Sequence, residues 1–147
     1  MSISEDNITD NRKQKWNKDY FEDVSLQDIG LWVQMGHKFD TRCKAPIAAH
    51  VNLVVIHTNG LHDVAIDYCG CQQPSVVGDE WQQLMRKDWY PGSAEEPQTC
   101  CTFEVLRLFH LMTLQGKMST YDFYAALERR TDNTGLRALK VCLSIFT

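Results

Sequence analysis

The chain has 147 residues, of which 44% are hydrophobic and 23% charged, with a formal net charge of −4. That size and balance predict one folded domain with enough mass for a real core. They argue against a strong autonomous nucleic-acid binder, because such binding draws its affinity from Lys and Arg neutralising phosphates. No run approaches 18 apolar residues, and the polar stretch from Met1 to Lys15 has no apolar signal-peptide core. An intracellular protein, nuclear or cytoplasmic and with no membrane partner, is therefore expected. In a reducing compartment its six cysteines favour metal binding or burial over disulfides.

Along the chain, residues 1–15 are polar and expected to be unordered. Trp16, Tyr20, Phe21 and Val24 follow at near-helical spacing, and Ser25-Leu26-Gln27-Asp28 has the form of a capping box. Leu31 to Met35 is short, apolar and rich in strand formers, which predicts a strand ending at Gly36-His37. Val51 to Ile56 is a β-branched run, Asn59-Gly60 is the preferred dipeptide of a type I′ turn, and Val64 to Tyr68 alternates again. Pairing Thr58 with Leu61 sets Val55 opposite Val64, Leu53 opposite Ile66 and Val51 opposite Tyr68, one apolar face, with Asn52 opposite Asp67 on the other. The same register sets His50 opposite Cys69 and Ala48 opposite Cys71.

Glu80 to Asp88 places Trp81, Leu84 and Met85 on one side of a short helix, closed by Trp89-Tyr90-Pro91-Gly92, and Ser93 to Gln98 reads as loop. Thr102 is a helix cap, and the helix it opens, to about Gln115, is apolar over most of its circumference, so burial on nearly all sides is expected. Ser119 to Asp122 caps a second helix, Phe123 to Arg130, on which Tyr121, Tyr124 and Leu127 form a stripe. The pair forms an αα-hairpin that packs on the sheet or offers its stripe to a partner. The fold class is α+β: a small antiparallel β-hairpin or sheet with a cysteine cluster, followed by the αα-hairpin.

The hairpin register brings Cys69 and Cys71 beside the strand entrance, where Cys43 and His37 lie nearby in sequence. Thiolate zinc sites hold sulfurs about 2.3 Å from the metal, so neighbouring sulfurs stand roughly 4 Å apart. Residues i and i+2 of a flat strand are roughly 7 Å apart, so the backbone must bend between Cys69 and Cys71, which Gly70 permits. His37, Cys43, Cys69 and Cys71 thus read as a Cys3His zinc site, with His50 in reserve for His37; the alternative is reduced, buried cysteines acting as small hydrophobes. His57 and His62 belong to the turn end and read as a cross-strand pair there, His110 reads as a core histidine, and Cys100, Cys101 and Cys142 read as packing residues. Lys38, Arg42 and Lys44 surround the presumed metal loop and are the candidate nucleic-acid contacts.

Several strings then stand together in order. Leu26 to Gly30, Val33 to His37, Cys43, Thr58 to Val64 and Asp67 to Cys71 come first; Gln83 to Arg86, Trp89 to Pro91, Thr102-Phe103, Phe109 to Leu111, Thr113 to Lys117, Tyr121 to Tyr124 and Arg130 to Asn133 follow. This set resembles the second (CxC) type of cysteine-cluster domain associated with the Kyakuja-Dileera-Zisupton (KDZ) transposases, over about residues 16–135. The resemblance implies a zinc-chelating domain that lies before an RNase H-type catalytic domain in fungal DNA transposons. The family's upstream ligands have no counterpart, and residues 136–147 diverge from its pattern, so a stand-alone or truncated relative is expected. The expected function is a noncatalytic zinc module that binds transposon DNA or holds a transposase, or copies of itself, together, without a small-molecule substrate. The alternatives are an interaction scaffold or a relic without DNA binding. An enzyme is disfavoured because Asp63, Asp67, Glu80 and Asp122 are scattered, and no oxyanion-hole motif accompanies Cys69 and His50.

Overall fold

The structure, a computed structural model, describes residues 13–24, 32–37, 41–51, 53–71, 77–132 and 134. Nine strands and three helices occur among them, an α+β architecture. β1 (Lys13–Trp16) and β2 (Phe21–Val24) pair antiparallel, Trp16 with Phe21. The near-helical spacing of aromatics across 16–24 therefore belongs to a β-hairpin, and strand structure begins at Lys13, inside the stretch expected to be unordered. The capping box at 25–28 and the pairing of Asn52 lie outside the described residues.

Two mixed sheets make the body. One has the order β3 (Trp32–Gln34), β7 (Ala65–Cys69), β4 (Pro46–Ala48), with β3 parallel and β4 antiparallel to β7. The other has the order β6 (Gly60–Asp63), β5 (Val54–His57), β9 (Thr99–Thr102), β8 (Trp89–Pro91). The parallel pairing of β5 with β9 makes β5 a central strand, buried at every position. The expected sheet was antiparallel throughout; the stretch Trp89-Tyr90-Pro91-Gly92, expected only to close the helix, contains β8, and the expected loop Ser93 to Gln98 joins it to β9. Thr99-Cys100-Cys101-Thr102 is too short for periodicity to reveal and is buried on both faces, as parallel-paired strands are.

The hairpin forms, but its register differs from the expected one. His57 pairs with Gly60, Ile56 with Leu61 and Val55 with His62, so Thr58 and Asn59 make the link and Gly60 opens the return strand at φ +137°. Further along, the pairing slips again: Leu53 C=O accepts from Val64 N–H, whereas Ala49 N–H donates to Ile66 C=O. The extra residues of the first strand are thrown out in a turn closed by Leu53 N–H to His50 C=O, which leaves Val51 71% exposed instead of opposite Tyr68. Pro46, not His50, stands opposite Cys69. Even shifts preserve the facing of a strand. Leu53, Val55, Val64, Ile66 and Tyr68 consequently still share one core with Val33, Met35, Leu84, Trp89 and Cys100.

α1 (Glu80–Met85) closes that first core through Leu84. On the opposite face of β5 and β9, Val54, Ile56 and Cys101 pack with Val105, Phe123 and Leu127 of the αα-hairpin. Its members are α2 (Phe103–Gly116), capped by Thr102, and α3 (Thr120–Thr131), capped by Ser119, as the sequence predicts. Cys100 and Cys101 thus serve opposite faces of one strand as packing residues, and burial pushes the Cys100 thiol up to about 12. The C-terminus of α3 is tied to the hairpin turn: Leu61 N–H donates to Thr131 Oγ1 at 2.6 Å, and a Cβ on Gly60 would run into the same side chain. The expectation that α2 is buried all round fails over its outer half, where Leu111, Met112 and Leu114 are exposed, and His110 is exposed as well. Among the described residues no helix is long and apolar enough to cross a membrane.

Candidate metal centre

β3 ends at Gln34 beside Asp67, and Met35 N–H donates to Asp67 C=O, so the chain reaches His37 alongside the end of β7. Gly36 makes the approach possible. Its φ is +78°, and a Cβ there would stand 2.6 Å from Cys69 Cβ. Gln34 Nε2 donates to Thr41 C=O at 2.9 Å and holds Thr41 beside the end of β3. Cys43 then lies three residues before Pro46, the partner of Cys69. Gly70 N–H continues the ladder to Ala45 C=O at 2.8 Å, and the Lys44 backbone N–H reaches the Cys71 sulfur. The corrected register brings Cys43 closer to Cys69 than the expected one did.

The outcome is a gathering of His37, Cys43, Cys69 and Cys71, whose donor atoms all lie within 4.8 Å of one another. His37 Nε2 is 3.0 Å from Cys69 Sγ and 3.5 Å from Cys71 Sγ, and Cys43 Sγ is 3.5 Å from Cys69 Sγ and 3.6 Å from Cys71 Sγ. With metal–sulfur bonds of about 2.3 Å and metal–nitrogen bonds of about 2.0 Å, a tetrahedron has edges of about 3.5 to 3.8 Å. Three of the four distances fit those edges, and the fourth is the length of a thiol–imidazole hydrogen bond. The donor set therefore suits a tetrahedral metal with thiolate preference. The cysteines are free thiols and the sulfurs are too far apart for disulfides.

The four groups compete for protons. Burial pushes the Cys69 thiol up to about 11, while hydrogen bonds from Cys69, His37 and Cys43 hold Cys71 down to about 7. A metal ion removes this competition, because each thiol binds it as thiolate and gives up its proton.

Gln83 completes the support of Cys69. Its Oε1 accepts from Cys69 N–H at 2.8 Å, and its Nε2 donates to Cys69 C=O and to Gly78 C=O, both at 3.1 Å. β3 has already ended at this level, so the buried carboxamide stands in for a strand and continues the ladder on that edge of β7. Gln83 stands in the sequence only as part of the family-like string Gln83 to Arg86, with no role attached; the signal for one is a polar side chain beside Leu84 in a six-residue helix.

His50, held in reserve as a ligand, is exposed and outside the cluster, because the strand slip removes it from Cys69. His62 hydrogen-bonds Asn59 Oδ1 at 2.7 Å, and the buried His57 is held by Thr102 Oγ1 at 2.9 Å through Nδ1; the two are not cross-strand partners. Arg42 and Lys44 are exposed on either side of Cys43, with the Arg42 guanidinium 5.9 Å from the Trp32 ring centre. Lys38 and Cys142 lie outside the described residues. The stripe on α3 splits: Tyr121 is exposed, whereas Tyr124 packs against the second core and Leu127 is part of it.

Residues 26–135 match the family model described as CxC2 like cysteine cluster associated with KDZ transposases. The match takes in most of the chain, and the protein belongs to this family of transposase-associated cysteine clusters. No curated protein and no solved structure matches.

Proposed function

We propose that this protein is a noncatalytic zinc-binding module related to KDZ transposases, in which His37, Cys43, Cys69 and Cys71 hold the ion. The observation that carries this reading is the gathering of three sulfurs and one imidazole nitrogen within 4.8 Å of one another, with three of their separations at the length of tetrahedral edges. Four protein donors fill a tetrahedron and leave no position for a reactive water, which is the character of a structural site. Bound zinc would fasten His37 and Cys43 to the end of β7 and supply folding free energy. Asp63, Asp67, Glu80 and Asp122 stand on four different elements, a dispersal that suits a noncatalytic role.

Function then rests on what the fastened residues carry beside them. Arg42 and Lys44, exposed on either side of Cys43, and Lys38, next to His37 in sequence, are the basic residues suited to a few phosphates of transposon DNA in an otherwise acidic chain. A role in transposase assembly draws support from a separate observation, the exposed apolar side chains Leu111, Leu114 and Tyr121 at the tip of the αα-hairpin. Elemental analysis coupled to a chelation melt tests the metal reading. One zinc per chain is expected, with Cys71→Ser losing both metal and folding stability. A well-folded metal-free preparation whose melting ignores chelator would overturn it.

A further inference from the structure

Of the five cysteines among the described residues, Cys43, Cys69, Cys100 and Cys101 are buried, and Cys71 alone is open to solvent. Oxidation of thiols follows that access, and a disulfide forms where a second thiol stands beside the first. Cys43 is such a neighbour. Its Sγ is 3.6 Å from Cys71 Sγ, across two chain segments 28 residues apart, and the Lys44 backbone N–H reaches the same Cys71 sulfur. A disulfide is about 2.05 Å long, so the two sulfurs need to approach by roughly 1.5 Å, a distance that side-chain rotation covers. Cys69 is the poorer partner for Cys71. Gln83 clamps its backbone at both N–H and C=O, and the intervening Gly70 is tied to Ala45 C=O at 2.8 Å with no room for even a Cβ. A Cys69–Cys71 bond would have to bend that held link into a small ring. Cys100 and Cys101 face the two cores with no exposure, where thiols are inert.

We propose, building on the metal-binding reading above, that hydrogen peroxide oxidises this centre at Cys71, that Cys43 closes a disulfide on it, and that the metal is thereby given up. The Cys71 thiolate attacks one peroxide oxygen; the O–O bond breaks, hydroxide leaves, and the sulfur becomes a sulfenic acid. The Cys43 thiolate then attacks the Cys71 sulfur, the S–O bond breaks, and a second hydroxide leaves. The two sulfurs together lose two electrons, the peroxide gains them, and both hydroxides become water with protons from the solvent. His37 and Cys69 remain as donors, two where a structural zinc site needs four. The exposed Arg42 and Lys44 flank Cys43, so the new bond would also shift the cations on either side of it.

The test starts from the full chain with its zinc content established by elemental analysis. Hydrogen peroxide is added, released zinc is followed with a chromophoric indicator, and the disulfide is located by mass spectrometry of the digested, alkylated protein. Zinc should leave in step with the bond, one ion per disulfide, and the bond should join Cys43 to Cys71 while Cys100 and Cys101 stay as thiols. A dithiol reductant with added zinc should restore the metal content. Cys71→His keeps four donors, two imidazoles and two thiolates, a set that other zinc sites use, and should stay loaded under peroxide. The bond itself is read in the wild-type chain, so the outcome does not depend on that variant folding. Cys142→Ser should release zinc as wild type does. An untreated chain without zinc refutes the metal reading, and this proposal with it. Zinc bound but retained under peroxide overturns this proposal alone, as does a disulfide that leaves out Cys71, release that requires Cys142, or a chain that the reductant cannot reload.

Discussion

Replacing Gln83 by leucine removes a side chain that touches no metal donor atom, yet the structure makes it a test of how the centre is held. Three backbone groups lose their partners: Cys69 N–H, Cys69 C=O and Gly78 C=O. At about 1 kcal/mol for each buried group left unsatisfied, the low end of the usual range, the loss is about 3 kcal/mol. A domain of this size has about 5 to 15 kcal/mol in all, so the metal-loaded fold should survive with a melting temperature lowered by about 10 °C. The larger effect should be on the metal. With its backbone released, Cys69 no longer holds its sulfur in place against Cys43 and His37, and loss of such outer support typically weakens metal affinity by about 10- to 100-fold. Competition with a chromophoric chelator measures the affinity, and a melt of the loaded protein measures the stability. If Gln83→Leu held metal within about twofold of wild type and melted with it, the carboxamide would not be what positions Cys69.

Gly36→Ala places a Cβ against Cys69 at a backbone conformation that L-residues disfavour by about 1 to 2 kcal/mol, so it should lower both zinc content and melting temperature; full loading at the wild-type melting point would contradict this. The triple change Lys38/Arg42/Lys44→Ala should abolish retention on DNA at low salt without altering zinc content, and matching elution of wild type and variant across a salt gradient would remove this loop as a DNA contact. His57 is held below its usual imidazole range of 6.5, chiefly by burial, partly offset by Glu104. Its unfolded form therefore takes up a proton first as the pH falls. The stability it confers is complete above pH 6.5 and declines below it, so chemical denaturation at pH 7.5 and 5.5 should show a smaller acid loss for His57→Gln than for wild type, both metal-loaded. Equal losses would show that this ring does not govern the acid response.

The four clustered residues were legible because their clustering depends on facing and proximity more than on register. The apolar alternation of residues 53–68 fixed which side chains share a face, and slips of an even number of residues leave that unchanged. What local pattern does not encode is where a strand sheds residues. His50 to Leu53 turns outward, and the β-branched Val51 carries no mark of that. The caps at Thr102 and Ser119 were readable because they are local chemistry. The strands β8 and β9 were hidden for the converse reason: Trp89–Pro91 and Thr99–Thr102 become strands only through pairing with each other and with the distant β5. The carboxamide of Gln83 belongs to the same kind, a local side chain whose partner is set by tertiary structure.

The order in which the donors occur has a consequence for synthesis on the ribosome. All four lie between His37 and Cys71, and the sheet that carries them, β3-β7-β4, is complete once Cys69 has emerged. Gln83, and then β9, follow only later in the chain. The nascent polypeptide can therefore gather its thiols and close its first sheet while the central strand β5 still lacks its parallel neighbour. A metal captured at that moment would pin the early half against misregister during the interval before residues 99–102 arrive, the stage at which the apolar edge of β5 is most open to wrong partners.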